Sequence, residues 1–280
     1  MNYLISISQY LVFAIVVFVF AYALKKVSDY ATPFDDDLEI EEHNNLALAL
    51  SRVGMYLGLT IGMAGAISSN GTVHGFIEKL ICLLTNGAVM IPLLLFAKFI
   101  NDRLIISAVN NNEAILKGNI AVGIAEFGSF VGSGLIMYGA TYGDGGTLLG
   151  DVIFFLIGQV VFVIIARLFS GYTKYDINQE VARGNVPAGI EVAAMFIAVG
   201  FILKASIAGP FTGWAQDITQ FLISAVIGIV FVIGAQKLIS RIFLPKSTLE
   251  TELKRDRNIS AIIISEGILV AIAIVFSMII

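Results

Sequence analysis

The sequence predicts an all-α fold, a polytopic membrane bundle of about eight transmembrane helices arranged as four like-oriented helix-pair repeats. Three observations predict it: the composition, the length of the apolar blocks and the regular return of one short motif. Hydrophobic residues make up 58% of the chain and charged residues only 14%, whereas soluble domains carry about 25% charged residues. The composition therefore argues against a water-soluble fold.

The apolar residues fall in eight blocks of about 20 residues, a length that crosses about 30 Å of hydrocarbon as an α-helix. The blocks cover residues 7–24, 46–67, 77–100, 118–140, 149–170, 185–208, 218–240 and 257–280. None of them alternates polar and apolar residues as membrane β-strands do. The first block has neither a basic flank before it nor a small-residue cleavage site after it, so we expect a retained helix rather than a signal peptide.

An asparagine opens every even-numbered block. The four asparagines are Asn45, Asn119, Asn185 and Asn258, at spacings of 74, 66 and 73 residues. Asparagine is a favoured N-cap because its side-chain oxygen accepts a hydrogen bond from a free backbone N–H, and Pro187 suits a first helical turn. We predict that these residues cap helices; the alternative is that they hold a ligand.

Each pair of spans returns the chain to its starting side, so the four units share one orientation, related by an axis along the membrane normal. This arrangement favours a ring-like bundle or a packed pseudo-symmetric block over an inverted repeat. It predicts two four-helix membrane repeats, residues 1–146 and 147–280, which superimpose by rotation about that axis.

The basic residues predict the orientation of the chain. Of 17 Lys and Arg residues, 14 lie in or beside the loops that follow odd-numbered blocks. The positive-inside rule places those loops in the cytoplasm and both termini outside. The outer connections, residues 68–76, 141–148 and 209–216, are short. The acidic segment 29–42 is expected to form a solvated surface rather than a cation site.

The motifs Lys117-Gly118-Asn119-Ile120-Ala121 and Arg183-Gly184-Asn185, with the Gly- and Ala-rich spans that follow them, resemble the YjfL-like inner-membrane family, domain of unknown function 350. Typical members resemble half of this chain, which therefore resembles a tandem-duplicated form. The fourth motif departs from the pattern with Asn258-Ile259-Ser260-Ala261. The resemblance implies a multi-pass protein of the bacterial inner membrane with a link to envelope stress, and it implies no catalytic residue.

Four ionisable residues lie within the even-numbered blocks, at similar distances from the asparagines: Arg52, Glu126, Glu191 and Glu266. A charge at a helix centre costs about 2.5–3.5 kcal/mol on insertion scales, so these side chains should face the bundle and find partners. One interpretation is a structural staple and the other is an ion or proton path. Because a guanidinium does not deprotonate, we predict that Arg52 pairs with at least one of the glutamates.

Two amides, Asn86 and Gln159, fall in the middle of odd-numbered blocks, where interhelical hydrogen bonds explain them without a substrate role. Gly54, Gly58 and Gly62 recur every four residues. This spacing allows close approach of helix backbones, so we predict tight packing along that face.

No cofactor, metal or catalytic constellation is recognisable in the sequence. His43 and His74 lie in loops on opposite sides of the membrane, and Cys82 is the only cysteine, so neither a shared metal site nor an internal disulfide is expected. No basic stripe indicates nucleic-acid binding. We expect a protein that is not an enzyme, whose surroundings are the lipid bilayer and, as further partners, other copies of itself or other membrane or cytoplasmic proteins.

Two functional hypotheses remain open from the sequence. The first is a small channel or transporter that moves protons or a small cation past the three intramembrane glutamates. The second is a non-transporting membrane subunit or scaffold of an envelope-stress assembly, a hypothesis that agrees with the link to envelope stress implied by the family resemblance.

Overall fold

The structure, a computed structural model, describes residues 2–68, 75–143, 147–172 and 175–279. Within these ranges the chain is helical and contains no β-strand. The outer connections that include residues 69–74, with His74, and 144–146 lie partly outside the described residues. Ten α-helices follow one another in this part of the chain: α1 (Asn2–Ala31), α2 (Leu46–Ser68), α3 (Phe76–Ile100), α4 (Asn111–Leu116), α5 (Ile120–Thr141), α6 (Leu148–Tyr172), α7 (Ile177–Ala182), α8 (Val186–Ile207), α9 (Trp214–Phe243) and α10 (Ile259–Phe276).

Eight of these described helices, all except α4 and α7, are long and apolar enough to span a membrane. The prediction of an eight-span all-α membrane protein is confirmed. The observed helices extend several residues beyond some of the predicted blocks, most clearly α1, because the polar flank 25–31 continues the helix past the apolar stretch. Helix α9 is likewise longer than its block at both ends.

Helices α2, α5, α8 and α10 form a central row in which each helix packs against the next. Near the start of α5, Gly123 lies against the backbone of Ala47 in α2, and near the ends of the same two helices Gly65 lies against Tyr138. The two helices therefore run parallel. The like orientation of the repeats is confirmed, and the row is open rather than a closed ring, with α2 and α10 at its ends.

The close packing in the row depends on glycine. A Cβ atom at Gly58 would lie 2.4 Å from the carbonyl oxygen of Phe130, and one at Gly128 would lie 2.3 Å from the Cα of Ala193. Only a residue without a side chain lets the backbones approach this closely. The prediction of tight packing along the glycine face is thus confirmed, and α5 and α8 are the most buried spans of the described chain.

The other spans, α1, α3, α6 and α9, lie outside the row. Helix α3 packs on α1, α2 and α5, helix α6 on α5 and α8, and helix α9 on α8 and α10. Their outward faces carry large apolar side chains such as Leu11, Ile15 and Phe18, which are 60–73% exposed. Such faces fit contact with lipid acyl chains.

A short helical segment precedes each helix of the central row, a feature that the sequence analysis did not predict. Two of these segments are α4 and α7, and two are π-helical turns, Leu38–Glu42 and Thr251–Arg255. In each unit the residue directly before the asparagine has a left-handed backbone, with φ between 47° and 78°. These residues are Asn44, Gly118, Gly184 and Arg257. The four units therefore share this local geometry as well as the asparagine, and the side of the molecule where the asparagines lie is called the cap side below.

Candidate functional site

The partner of Arg52 is Asp36, not one of the intramembrane glutamates. Arg52 Nε donates to Asp36 Oδ2 at 2.5 Å and a terminal guanidinium nitrogen donates to Oδ1 at 2.8 Å, and both side chains are at most 3% exposed. The prediction of an Arg52–glutamate pair is wrong, because the loop before α2 folds over the start of that helix and supplies a nearer carboxylate. The acidic segment is correspondingly not solvated throughout, although Asp35 and Asp37 are exposed.

Glu126 is fully buried in α5 and contacts two neighbouring helices. Ser51 Oγ in α2 donates to Glu126 Oε2 at 2.5 Å, and Lys98 Nζ in α3 lies 3.5 Å from Oε1. Lys98 also lies 3.3 Å from Asp102, whose other oxygen accepts a hydrogen bond from Asn111 at 2.9 Å. These contacts connect a carboxylate inside the row to a more exposed one.

Asp102 and Asn111 line a recess of about 630 Å³ that also includes Ser107 and Ala108. The recess lies beside the cap-side end of α3 and the start of α4. Water in it can reach Asp102, so the Asp102–Lys98–Glu126 series leads from a wet surface to the interior of the central row.

Glu191 in α8 is 1% exposed and is held by a tyrosine. Tyr175 Oη lies 2.8 Å from Oε2 and 3.1 Å from Oε1, and Gln236 Nε2 in α9 lies 3.4 Å from Oε1. Burial, and then the nearby Glu191 carboxyl, raise the pKa of the Tyr175 hydroxyl above its usual value. The phenol therefore stays protonated and donates at neutral pH.

Tyr175 also lines a second cap-side recess, of about 820 Å³, together with Arg167, Ser170 and Asn178. Ser107 and Ala108 belong to both recesses, so the two lie next to each other. Each recess thus reaches a different buried glutamate of the row.

Glu266 in α10 has fewer partners. Ser265 Oγ lies 3.5 Å from its Oε1, and its buried Oε2 makes no hydrogen bond among the described residues. Gln236 lies beside it, and Glu191 is near enough to interact with it electrostatically. The structure therefore brings Glu191 and Glu266 together around Gln236, whereas Glu126 belongs to a separate group with Lys98.

The two mid-membrane amides differ in their surroundings. Gln159 Nε2 in α6 donates to Ser133 Oγ in α5 at 3.1 Å, an interhelical hydrogen bond of the expected kind. Asn86 Nδ2 donates within α3 to the carbonyl of Cys82 at 3.0 Å, and its buried Oδ1 has no partner in the described chain.

The four asparagines of the repeat stand directly before the helices of the central row. Three of them accept from the backbone N–H three residues on, as predicted: Asn45 from Leu48, Asn119 from Val122 and Asn258 from Ala261. Asn185 occupies the N-cap position of α8, but its side chain makes no capping hydrogen bond.

The side-chain amide nitrogens of three asparagines link neighbouring units. Asn45 Nδ2 donates to the carbonyl of Ile115 at 2.9 Å, Asn119 Nδ2 to that of Val181 at 3.1 Å and Asn185 Nδ2 to that of Leu253 at 3.0 Å. Each acceptor lies in the short segment that introduces the next helix of the row. Helix capping and hydrogen bonds between neighbouring units therefore account for the asparagine repeat.

Sequence reasoning missed the partners of the buried glutamates, which are Ser51, Lys98, Tyr175 and Gln236. It also missed Asp102, the second carboxylate beside Lys98. Aligning the units on their asparagines gives one signal for them, because Lys98 lies 21 residues before Asn119 and Gln236 lies 22 residues before Asn258. Polar side chains at nearly the same depth of two outer helices, α3 and α9, are unusual in apolar spans. Among the described residues, no group of three or more His, Cys, Asp and Glu side chains is arranged to hold a metal ion.

Comparison with known proteins identifies the family of this chain. The model described as Domain of Unknown Function (DUF350) matches twice in tandem, over residues 2–141 and 145–280. The chain belongs to the DUF350 family. It is also similar to a UPF0719 transmembrane protein of Aquifex aeolicus (strain VF5), with 25% identity over 245 residues that cover 85% of this chain and 87% of the relative. No solved structure matches it. The resemblance seen in the asparagine motifs, including the duplication, is confirmed.

Proposed function

We propose that this DUF350 protein moves protons across the bacterial inner membrane, with Glu126, Glu191 and Glu266 as the groups that bind and release them. The observation that carries the proposal is the position of Tyr175. Its hydroxyl hydrogen-bonds to the buried Glu191, and the same residue is part of the lining of the 820 Å³ cap-side recess. A proton can pass between water and a carboxyl inside the membrane through such a hydroxyl.

The remaining contacts extend this path. Gln236 lies between Glu191 and Glu266, so a proton on one carboxyl affects the charge that the other can hold. Buried ionisable groups in membrane spans are costly and typically belong to proton relays or ion pathways. Glu126 reaches the neighbouring recess through Lys98 and Asp102.

A proton suits these sites better than a metal cation. Hard metal cations such as Ca²⁺ and Mg²⁺ need about six oxygen ligands. The carboxylate of Glu126 is already occupied by an ammonium group and a hydroxyl, and that of Glu191 by a phenol and an amide. A proton needs only one acceptor oxygen.

We place the cap side in the cytoplasm, and both termini outside, because 14 of the 17 Lys and Arg residues lie in or beside the loops that follow odd-numbered spans. In this orientation both recesses open to the cytoplasm. Protons would then enter or leave the glutamates from that compartment.

Proton flux into liposomes tests the proposal. The purified protein is reconstituted with a lumenal pH dye, and a K⁺ gradient with valinomycin sets the membrane potential. We expect wild-type flux above that of empty liposomes, loss of that flux in Glu191→Gln and a reduction in Tyr175→Phe. The control is Glu113→Gln, an exposed carboxylate in α4 whose contacts are a surface ion pair with Lys117 and a hydrogen bond from Asn110 Nδ2.

The alternative function, a non-transporting subunit of an envelope assembly, is supported by one observation. Both oxygens of Glu126 have partners, on two different helices, as expected of an interhelical staple. In that case Glu126→Gln and Glu191→Gln lower the melting temperature in detergent, and no preparation conducts protons. Flux equal to that of empty liposomes in a correctly folded wild-type protein would contradict proton transport.

A further inference from the structure

A cavity of about 440 Å³ lies on the side opposite the caps, between the ends of α5 and α8 and the starts of α6 and α9. It is far along the helices from Glu126 and Glu191, which lie in the first two turns of α5 and α8. Its volume is within the range of about 300–1,000 Å³ typical of small-molecule sites. The cavity therefore requires an explanation separate from the cap-side recesses.

The charge of the lining is negative. Its described residues include Asp151 and Asp217 and no Lys, Arg or His. Asp217 is occupied, because it accepts hydrogen bonds from Thr212 Oγ1 and from the backbone N–H groups of Thr212 and Gly213. The side chain of Asp151 has no hydrogen-bond partner among the described residues, so it is the carboxyl available to a ligand.

A second unused acceptor lines the same cavity. Asn86 is 5% exposed, its Nδ2 donates to the Cys82 carbonyl, and its buried Oδ1 accepts from no group in the described ranges. Leaving a buried acceptor unsatisfied costs about 1–3 kcal/mol. A ligand with an N–H donor would remove that cost.

Aromatic rings form one wall of the cavity. Phe154 and Trp214 stack with ring centroids 6.1 Å apart and planes 12° from parallel, and Phe211 meets Trp214 edge-on at 5.3 Å. Aromatic faces attract organic cations, and they also contact the hydrocarbon part of such ions. They offer no oxygen ligands to an inorganic cation.

We propose that this cavity binds a primary alkylammonium ion. The ammonium group lies at Asp151 and donates a hydrogen bond to Asn86 Oδ1, and the alkyl chain packs against Phe154 and Trp214. The proposal does not depend on proton transport, because none of its residues belongs to the glutamate sites. The same ammonium chemistry can come from a soluble amine or from the headgroup of phosphatidylethanolamine.

Trp214 provides a direct readout, because it is the only tryptophan in the chain. We titrate the protein, in nanodiscs of phosphatidylcholine, with butylammonium chloride and follow the tryptophan fluorescence. A saturable change is expected with butylammonium, a weaker one with tetramethylammonium, which has no N–H, and none with the neutral 1-butanol. Asp151→Asn should weaken butylammonium binding at least tenfold and Asn86→Ala several-fold, whereas the cap-side control Glu113→Gln should bind like wild type.

Nanodiscs that contain phosphatidylethanolamine separate the two sources of the ammonium group. If the headgroup occupies the cavity, the apparent affinity for butylammonium falls in these discs; if the ligand is a soluble amine, it is unchanged. If Asp151→Asn does not fold, Asn86→Ala and the comparison with 1-butanol still test whether the cavity binds the ammonium group. Equal responses to butylammonium and 1-butanol, or unchanged binding in folded Asp151→Asn, would overturn the proposal and leave proton transport untouched.

Discussion

Arg52 and Asp36 form a buried ion pair with two hydrogen bonds, 2.5 and 2.8 Å long, between the start of α2 and the loop that precedes it. Neither side chain has more than 3% exposure. The guanidinium cannot neutralise itself by losing a proton, so the carboxylate is what allows Arg52 to remain inside the protein. This pair fixes the first cap-side segment on the central row.

We expect Asp36→Ala to lower the free energy of unfolding by about 3–5 kcal/mol, because it leaves a buried cation without a partner. Unfolding in detergent, followed by circular dichroism, measures the change. Arg52→Leu combined with Asp36→Leu should recover much of the loss, since no buried charge then remains. The control is Glu41→Gln, at an exposed position in the same segment before α2. It should change the free energy of unfolding by less than about 0.5 kcal/mol. If Asp36→Ala is as stable as wild type, the ion pair contributes nothing to the free energy of unfolding.

The asparagine links predict a difference between two substitutions at one position. Asn119 accepts from Val122 N–H and donates to the carbonyls of Val181 and Ala182. Asn119→Ala loses the cap, worth about 1 kcal/mol, and the link to α7, worth about 1 kcal/mol more. Asn119→Asp keeps the acceptor for the cap but has no donor for the two carbonyls. It should therefore keep the stability that comes from the cap and lose the stability that comes from the link to α7.

Asn258→Ala is the matched control for the two substitutions of Asn119. Asn258 caps α10 in the same way, but its amide nitrogen bonds to the partly exposed Glu252 within its own unit rather than to another unit. It should therefore lose only about 1 kcal/mol. If Asn119→Asp is as stable as wild type, the link between units has no energetic role.

Glycine packing predicts a strong position effect within the central row. In Gly128→Ala the new Cβ would lie 2.3 Å from the Cα of Ala193, so α5 and α8 must separate, at a cost of about 1–3 kcal/mol. Gly267→Ala in α10 adds a Cβ with no atom within 4 Å and should be neutral or slightly stabilising. Thermal unfolding in the same detergent compares the two. Equal effects would mean that the close approach does not limit stability.

The proposed orientation predicts which cysteines an impermeant reagent reaches. In a Cys82→Ser background, Ser247→Cys lies in the segment before α10 on the cap side, and Gln216→Cys lies at the start of α9 on the opposite side. In intact cells only Gln216→Cys should react, and both should react after the membrane is permeabilised. Labelling of Ser247→Cys alone in intact cells would reverse the orientation.

Several features of the fold could be predicted because they depend on local properties of the chain. The apolar blocks fix the spans, the asparagines fix where α2, α5, α8 and α10 begin, and two spans per unit fix their common direction. The site was predicted less completely. Glu126, Glu191 and Glu266 were identified from their position in apolar helices, but their partners were not, because Lys98, Tyr175 and Gln236 come from other elements whose packing the sequence does not state.

By itself the sequence determined that the chain spans the membrane, where its spans lie and that its repeats run in parallel, since each follows from hydrophobic length and helix capping along the chain. Only the tertiary structure decided that the row is open, that Arg52 pairs with Asp36 and that Glu191 and Glu266 share Gln236. The physical reason is distance: a buried charge takes the nearest oxygen or donor that the packed helices present. That neighbour is set by backbone approach at residues such as Gly58 and Gly128 rather than by spacing along the chain.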